Sequence, residues 1–361
     1  MNGYQEIGPK SHVYVLIATT HTGIYRGSIL RRGVGMNDVL SKLPELYYST
    51  RYGVAYLGDA LKLSKCIPDN SVNLIVTSPP FALNKKKPYG NVSSDKYVDW
   101  FRPFANEFHR VLTDDGSLVI HIGGSWERGR PTRSLYHLEL LVDLCRNGDR
   151  VFYLAQDFYW FNPARLPSPA QWVTVKRVRV KDAVDPIWWL SKTPHPKASN
   201  RKILAPYTKA MKRLLERGYN AGLRPSGHDI SDKFNRDHGG AIPPNLLAIA
   251  NTESNSDYLR LCRKAKIRAH PARYPVELPE FFIKFLTDEG DLVLDPFGGS
   301  NATGEAAEKT KRQWICFETE EQYLKGSKFR FASGQPHPLS TNSINCETHK
   351  LDFPPTGELS L

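Results

Sequence analysis

The sequence has few cysteines and no long apolar stretch, and these absences narrow the class of protein. The five cysteines, Cys66, Cys145, Cys262, Cys316 and Cys346, are scattered and include no CxxC pair. That spacing excludes the usual zinc patterns, and an odd number argues against a disulfide framework, so we expect a reducing cytoplasm and no metal site. Neither a run of 18 apolar residues nor a signal peptide is present, so we expect no membrane span.

Acidic residues are outnumbered, which points to an acidic partner. The chain of 361 residues carries 49 Lys and Arg against 37 Asp and Glu, a formal net charge of +12. Residues 195–270 alone hold 15 basic and 6 acidic residues. Such a zone fits a phosphate-rich partner, although a solvated basic surface is an alternative. A membrane surface fits less well, because no long amphipathic Lys-rich helix is evident.

The most distinctive motif is Ser78-Pro79-Pro80-Phe81, which follows the apolar run Val72–Thr77. The run has the length of a buried strand, and the two prolines cannot continue a strand because they lack a backbone N–H. In open α/β sheets, ligands bind at the carboxyl ends of the strands. A hydroxyl, a stiff backbone and an aromatic ring at that point suit a planar group that is held at its edge and stacked on its face.

A second predicted strand, Asp291–Leu294, leads into the turn Asp295-Pro296-Phe297-Gly298-Gly299-Ser300 and a small-residue helix over Ala302–Lys309. The glycines allow a ligand to approach the backbone closely. Glu318 ends the next predicted strand, 20 residues after Gly298, and is placed to accept both hydroxyls of a ribose. The turn is not GxGxxG, and Asp295 would repel a pyrophosphate. A ribose with a cationic amino-acid end fits better, which indicates S-adenosylmethionine rather than a dinucleotide.

Three further segments each allow two interpretations. Asp59 follows the apolar run Val54–Leu57, so it lies near the cofactor or caps the following helix, and both roles are compatible. Lys85, Lys86 and Lys87 contact phosphates or form an exposed loop. The turn His270–Pro275 closes over the methionine portion of the cofactor or is a rigid lead into a helix, and its spacing alone favours the second.

The order of the elements predicts an α/β fold with a doubly wound, mostly parallel sheet. Asp95–Leu112 has helical spacing with an aromatic stripe, and residues 151–191, including the alternating Trp172–Val180, are predicted as strands that close the sheet. From His195 to about Lys266, basic, Gly, Pro and Asn residues dominate, which indicates an inserted lobe. The predicted units are an N-terminal extension (1–50), a catalytic half (51–194), the lobe (195–266), a cofactor half (267–330) and a flexible tail (331–361).

These residues resemble those of amino-methylating DNA methyltransferases. The matching motifs are TSPPF at 77–81, HPARYP at 270–275 and LDPFGGSNATGEAA at 294–307. Their order, with the catalytic motif first, resembles the circularly permuted β group of that family, and the resemblance spans about 51–330. Asn301-Ala302 stands where many relatives carry Gly-Thr, so the start of the helix is expected to differ slightly.

The resemblance favours the cytosine-N4 type. Ser78 stands where adenine-N6 enzymes tend to carry Asp or Asn, and Ile242–Leu247 with Asn251-Thr252 resembles a run found in cytosine-N4 enzymes. The resemblance implies a cytoplasmic, monomeric, site-specific methyltransferase of double-stranded DNA that protects against a restriction endonuclease without a stable complex. Adenine-N6 methylation and a catalytically idle DNA-binding protein are the alternatives. No Pro-Cys dipeptide of the cytosine-C5 type is present.

The resemblance also implies roles for individual residues. The target base is flipped out of the duplex, and Phe81 stacks on it, while the Pro79 carbonyl and the Ser78 hydroxyl accept hydrogen bonds from its amino group. Pro80 stiffens this turn. The candidates for cofactor binding are Asp59, His270, Ala272, Arg273, Asp295, Pro296, Phe297, Gly298, Gly299, Ser300 and Glu318. The candidates for DNA binding are Lys85, Lys86, Lys87, Arg224, Lys233, Asn235 and Arg236, whose division between bases and phosphates is not readable from the sequence.

Overall fold

A computed structural model describes residues 19–20, 23–24, 36–83, 90–147, 150–218, 222–230, 236–251 and 256–331. The predicted tail 331–361 lies outside the described residues except for Phe331, and the extension 1–50 is described only in part. Within the described ranges, every helix falls short of the length and apolar character that crossing a membrane requires.

The strands are rich in Val, Ile, Leu and aromatic residues, as buried strands are. In chain order they are β1 (Thr19–Thr20), β2 (Gly23–Ile24), β3 (Tyr48–Ser49), β4 (Gly53–Leu57), β5 (Val72–Thr77), β6 (Leu112–His121), β7 (Tyr153–Phe161), β8 (Val184–Ser191), β9 (Gly222–Leu223), β10 (Asp229–Ile230), β11 (Leu246–Ala248), β12 (Leu292–Asp295) and β13 (Gln313–Glu318). The pairs β1–β2 and β9–β10 are separate two-stranded sheets.

The remaining strands form one sheet in the order β11-β7-β8-β6-β5-β12-β13-β4-β3. Its centre, β6-β5-β12-β13-β4, is parallel throughout, and only β8 and β3 run against the common direction. This arrangement confirms the predicted doubly wound, mostly parallel α/β fold. The late strands β12 and β13 lie between the early strands β5 and β4, so both halves of the sequence build one sheet.

The helices connect these strands, and polar side chains cap some of them. Asp59 caps the helix Ala60–Cys66 by accepting a 2.9 Å hydrogen bond from the Lys62 N–H. In chain order the helices are α1 (Met36–Leu40), α2 (Ala60–Cys66), α3 (Tyr97–Val111), α4 (Tyr136–Arg146), α5 (Lys209–Arg217), α6 (Asp257–Lys264), α7 (Glu277–Leu286), α8 (Ala302–Lys309) and α9 (Glu321–Ser327).

Helices cover both faces of the sheet, and β5 is buried between them. Val72 and Ile75 belong to one apolar core with the aromatic stripe of α3, whereas Leu74 and Val76 belong to a second core with α7 and α8. A strand buried on both faces must be apolar along its whole length, which explains the continuous run in the sequence.

The prediction of a strand over Trp172–Val180 is wrong. Gln171–Val175 forms a single π-helical turn, and Val175, Val178 and Val180 are 74%, 60% and 85% exposed. Alternating apolar and basic residues normally indicate a half-buried strand, but here Trp172 is buried whereas Val175, Val178 and Val180 face solvent, as do Lys176 and Arg177. The other strands predicted within 151–191 are confirmed as β7 and β8, and this segment connects them.

Candidate active site

The carboxyl ends of the parallel strands meet at one edge of the sheet, where a cavity of about 500 Å³ opens. This volume is typical of small-molecule sites. The predicted catalytic and cofactor residues that line it are Asp59, Ser78, Pro79, Pro80, Phe81, His270, Ala272, Arg273, Pro296, Phe297, Gly298, Gly299, Ser300 and Glu318. The structure therefore brings together two motifs that lie more than 200 residues apart in the sequence.

Ser78 contacts a histidine that ends the neighbouring strand. Ser78 Oγ lies 3.0 Å from Nδ1 of His121, and Nε2 of that ring lies 3.6 Å from Oδ2 of Asp185. Arg165 donates a 2.8 Å hydrogen bond to the other Asp185 oxygen. Burial raises the pKa of Asp185, but the His121 ring and the Arg165 charge outweigh burial and hold that pKa below its ordinary value.

This arrangement determines how the Ser78 hydroxyl can be used. A carboxylate beside Nε2 of His121 favours a proton on that nitrogen and leaves Nδ1 as a hydrogen-bond acceptor. The Ser78 hydroxyl then donates to His121, and its oxygen lone pairs are available to accept hydrogen bonds within the cavity.

Phe81 and Pro80 are held by the elements around them. The Phe81 ring meets the His121 ring edge-on, with 5.5 Å between centroids and 69° between planes. A Cβ at Gly123 would lie 2.5 Å from the Phe81 ring, so glycine is required there for the ring to take this position. The Tyr97 hydroxyl donates a 2.8 Å hydrogen bond to the Pro80 carbonyl. The turn therefore presents a half-buried aromatic ring at a fixed place in the cavity wall.

Asp295 lies behind the cavity wall rather than in it, although the sequence suggested that it contacts the cofactor. It is 2% exposed, and its carboxylate accepts hydrogen bonds from the hydroxyls of Thr77 (2.8 Å) and Thr303 (2.6 Å) and from the Phe297 N–H (3.1 Å). Burial raises its pKa. The Tyr274 hydroxyl also donates to it at 3.4 Å, so donors from four segments surround Asp295, which joins β5, the turn after β12, α8 and the His270–Pro275 turn.

Glu318 does face the cavity, at the carboxyl end of β13. Its two carboxylate oxygens accept 2.8 Å hydrogen bonds from the N–H groups of Gly299 and Glu320. Burial raises its pKa. A carboxylate fixed at this position, beside a glycine turn, is suited to accept hydrogen bonds from the hydroxyls of a ribose.

The turn after β12 needs its glycines for the protein's own packing. A Cβ at Gly298 would lie 2.0 Å from the Cys316 sulfur, and Gly299 has a φ of +53° with the His270 ring 3.2 Å from where its Cβ would be. Asn301 also adopts the left-handed conformation, with a φ of 58°, and its side chain caps α8 by accepting a 3.0 Å hydrogen bond from the Gly304 N–H. Asparagine tolerates this conformation, so α8 begins at Ala302, as predicted.

The His270–Pro275 turn forms another part of the cavity wall. The His270 ring packs edge-on against Tyr323 at 4.6 Å, and its Nδ1 lies 2.5 Å from the Ala272 carbonyl oxygen. Arg273 donates a hydrogen bond back to the His270 carbonyl. Burial lowers the pKa of His270 to about 4. The turn is thus internally braced and also lines the cavity, so both interpretations of this segment are compatible with its position.

Several cavity residues were not predicted from the sequence. They are Trp100, Phe104, His121, Trp160, Asn162, Arg165, Asp185, Asn251 and Tyr274. His121 could have been found, because it is a polar residue at the end of the apolar strand β6, as Ser78 is after β5. Arg165 and Asp185 could not, since they flank a connection whose path the sequence does not reveal.

The predicted DNA-binding residues are only partly described. Arg224 lies in the turn of the β9–β10 hairpin, where its N–H donates a 2.8 Å hydrogen bond to the His228 carbonyl, and Arg236 is exposed. Lys85, Lys86, Lys87, Lys233 and Asn235 lie outside the described residues.

Comparison with known proteins agrees with this geometry. Residues 72–329 match the N6/N4 DNA methylase family. The chain belongs to this family of DNA methylases. The type II methyltransferase M.PvuII of Proteus hauseri is 50% identical to it over 299 residues, which cover 82% of this chain and 88% of that protein.

Two further matches place the chain within the family. The type II methyltransferase M.BglII of Bacillus subtilis is 26% identical over 304 residues, covering 83% of this chain and 74% of the relative. The solved structure of the PvuII DNA methyltransferase, described as cytosine-N4-specific, has a TM-score of 0.65 and 44% identity, covering 83% of this chain and 91% of that one. The resemblance seen in the sequence motifs is confirmed.

Proposed function

We propose that this protein transfers a methyl group from S-adenosylmethionine to the exocyclic N4 of a cytosine that is flipped out of duplex DNA. The observation that carries the proposal is the Ser78–Phe81 turn, whose hydroxyl contacts His121 at the wall of the cavity. The choice of cytosine is supported by the similarity to the PvuII enzyme, which is described as cytosine-N4-specific.

A flipped cytosine needs a stacking surface and acceptors for its amino hydrogens. Phe81 supplies the surface, and stacking of a base on an aromatic ring contributes about 1–3 kcal/mol, which offsets the few kcal/mol of unstacking. The Pro79 carbonyl and Ser78 hydroxyl supply two acceptors. Because the amine lone pair is delocalised into the ring, acceptors on both hydrogens favour a pyramidal nitrogen with a localised lone pair. Positioning and the stabilisation of developing positive charge then accelerate transfer.

We also propose an acceptor for the released proton, which is His121. After transfer, the methylated nitrogen must lose a proton, and Ser78 Oγ lies 3.0 Å from the acceptor Nδ1 of His121. A proton arriving at His121 would be stabilised by the buried carboxylate of Asp185. No covalent bond between the enzyme and the base is needed.

The residues at the other end of the cavity fit S-adenosylmethionine. Glu318 would hold the ribose, and Phe297, whose ring lies 5.3 Å from Phe104 and 6.2 Å from Trp100, would bound the adenine. His270, Ala272 and Arg273 would face the methionine portion, and Asp59 lines the cavity next to Gly58, whose N–H donates a 2.9 Å hydrogen bond to the Glu318 carbonyl. When bound, the cofactor supplies an electrophilic methyl group on its sulfonium.

We propose that DNA recognition lies in the segment 206–240 of the predicted lobe 195–266. Residues 205 and 241 are joined by two 2.8 Å backbone hydrogen bonds, so the chain enters and leaves this segment at the same point. By contrast, β11 belongs to the main sheet and α6 packs against α9. Arg224, Lys233, Asn235 and Arg236 all fall within 206–240 in the sequence and are proposed to contact bases or phosphates, while Lys85–Lys87, which follow the Ser78–Phe81 motif in the sequence, would contact phosphates.

The similarity to two type II methyltransferases supports a role in a restriction-modification system. We infer that the protein acts as a monomer in the cytoplasm and protects DNA from a cognate endonuclease without forming a stable complex with it. Adenine-N6 methylation is the second candidate, because the family includes both N6 and N4 enzymes. A catalytically idle DNA-binding protein is disfavoured, because the Ser78–Phe81 and Glu318 sites are intact.

Mass spectrometry of nucleosides from the DNA of cells that express the protein tests the proposal. N4-methylcytosine is expected, and mapping it by sequencing would give the recognition site. N6-methyladenine would redirect the target to adenine. If neither methylated base is found while the purified protein is still stabilised by S-adenosylmethionine, the result would favour a catalytically idle DNA-binding protein.

A further inference from the structure

A second basic surface lies beside the cavity, outside the proposed recognition lobe. It consists of residues 124–133, which follow β6, and residues 162–183, which connect β7 to β8. Since β6 and β7 end, and β8 begins, at the carboxyl edge of the sheet, both segments leave the sheet where the cavity opens. Seven basic and two acidic residues lie in 124–133 and 170–182.

The two segments are fixed to each other around Trp126. The guanidinium groups of Arg133 and Arg179 lie over its ring, 5.8 and 5.2 Å from the ring centroid. Asp182 accepts a 3.1 Å hydrogen bond from Arg133, and Arg179 donates a 3.0 Å hydrogen bond to the Pro131 carbonyl. Contacts between the two segments therefore hold the surface together, and its residues Lys176 and Arg177 are exposed.

The first turn of residues 162–183 is anchored in the cavity wall. The Arg165 side chain lines the cavity and donates a hydrogen bond to Asp185. Its backbone N–H donates a 3.1 Å hydrogen bond to the Asn162 carbonyl, and its backbone carbonyl accepts a 3.2 Å hydrogen bond from the Lys181 side chain. The next residue, Leu166, is 80% exposed. It stands in the proline-rich stretch 163–169, so an apolar side chain projects into solvent from a stiff turn at the mouth of the cavity.

We propose that the surface formed by 124–133 and 162–183 binds duplex DNA beside the target base, and that Leu166 fills the space that the flipped base leaves in the stack. Apolar wedges between base steps are a recurrent device of proteins that distort DNA. Lys176 and Arg177 would contact the phosphates next to that step. The inference rests on the proposed function, because it requires a base to leave the duplex.

The test of Leu166 compares two duplexes that contain the mapped site, one fully paired and one with a mismatch at the target cytosine. Flipping a mismatched base costs less, so a wedge matters less there. Leu166→Ala should lower kcat/KM about tenfold on the paired duplex and by less than about threefold on the mismatched one. Leu166→Met should retain most of the activity on both.

The matched control is Leu154→Ala, which removes a 44% exposed leucine at the start of β7, on the opposite edge of the sheet. It should leave both rates unchanged. Equal losses on the two duplexes for Leu166→Ala, or no loss at all, would overturn the wedge. A wild-type protein that methylates neither duplex would overturn the proposed function itself, and the inference with it.

The phosphate contacts have their own measurement. Each contact adds about 0.9 to the slope of log K against log salt concentration, so Lys176→Gln with Arg177→Gln should lower that slope by about 1 to 2. The control pair, Lys309→Gln with Lys311→Gln, is exposed at the amino edge of the sheet and should leave the slope unchanged. The same slope in both double variants would contradict the proposed phosphate contacts of Lys176 and Arg177.

Discussion

Ser78 and His121 lie side by side because of the register of two parallel strands. Thr77 of β5 pairs with Ile120 of β6, so the next residue of each strand meets its neighbour, and Ser78 Oγ comes within 3.0 Å of His121 Nδ1. The position of the candidate catalytic hydroxyl is therefore set by the sheet itself and not by a mobile loop. A site built on strands holds its geometry better than one built on loops.

The substitution His121→Gln tests whether the ring orients the Ser78 hydroxyl. We expect kcat to fall roughly 10- to 100-fold, because an unoriented hydroxyl is a poorer acceptor for the amino group. The measurement is kcat at saturating cofactor and DNA. His109→Gln, on α3, is the control and should leave kcat unchanged, and an unchanged kcat in His121→Gln would contradict the assignment.

The substitution Glu318→Gln tests the ribose site. Both Glu318 oxygens accept backbone hydrogen bonds, and an amide can replace only one of them. Hydrogen bonds to charged groups are worth about 1.5–3 kcal/mol, so the Kd for S-adenosylhomocysteine should rise about 10- to 100-fold in calorimetry, while DNA binding is retained. Glu321→Gln, on the surface of α9, should leave the Kd unchanged. An unchanged Kd for Glu318→Gln would remove this residue from the cofactor site.

Asn301 allows a prediction about stability. Its buried side chain caps α8 and donates a 3.0 Å hydrogen bond to the Tyr48 hydroxyl, and its backbone is left-handed. Asn301→Ala should lower the free energy of unfolding by about 2–4 kcal/mol, because the cap is lost and the left-handed backbone is strained. Asn301→Gly also loses the cap, but glycine adopts a left-handed backbone without strain. The loss in free energy of unfolding should therefore be about 1–2 kcal/mol smaller than for Asn301→Ala. Urea titration measures both, and equal losses would show that the backbone conformation is not the cause.

His270 should make the free energy of unfolding depend on pH. Burial lowers its folded-state pKa to about 4, against about 6.5 when the chain is unfolded. The unfolded state therefore binds the proton first, and stability is lost as the pH falls below about 6.5 towards 4. Between pH 7 and pH 5 this residue should account for about 1–2 kcal/mol of lost stability.

The check is to measure urea unfolding of the wild type and His270→Asn at both pH values. The variant should lose less stability than the wild type on acidification, whereas His195→Asn, at an exposed position, should follow the wild type. Parallel losses in all three proteins would show that His270 is not a buried neutral group.

The sequence predicts the fold and half of the residues that line the cavity, because strand ends carry local signals. Val72–Thr77 with Ser78, and Leu292–Asp295 with its glycine turn, are readable from apolar runs that stop at prolines or glycines. Motifs that follow parallel strands of one sheet lie at the same edge of that sheet, which is where the structure has both. What could not be predicted depends on register and on connections, as with the contact between Ser78 and His121.

Asp295 and Trp172–Val180 are two cases in which the local sequence pattern suggests a different place from the one that the packed structure gives. A carboxylate after a strand resembles a ligand group, but only the packed structure shows that Thr77, Thr303 and the Phe297 N–H already use its lone pairs. Alternating valines and basic residues resemble a strand, yet this segment has no partner strand among the described residues. Periodicity reports the pattern of side chains and not whether a neighbour is available to bury them.

The central claim is that Ser78 takes part in methyl transfer to the N4 of cytosine. The most direct measurement incubates purified wild type and Ser78→Ala with S-adenosylmethionine that carries a deuterated methyl group and with DNA that contains the mapped site, followed by mass spectrometry of the nucleosides. We predict labelled N4-methylcytosine from the wild type and roughly 100-fold less from Ser78→Ala, with unchanged cofactor binding. Labelled N6-methyladenine from the wild type, or equal amounts of N4-methylcytosine from both proteins, would contradict it.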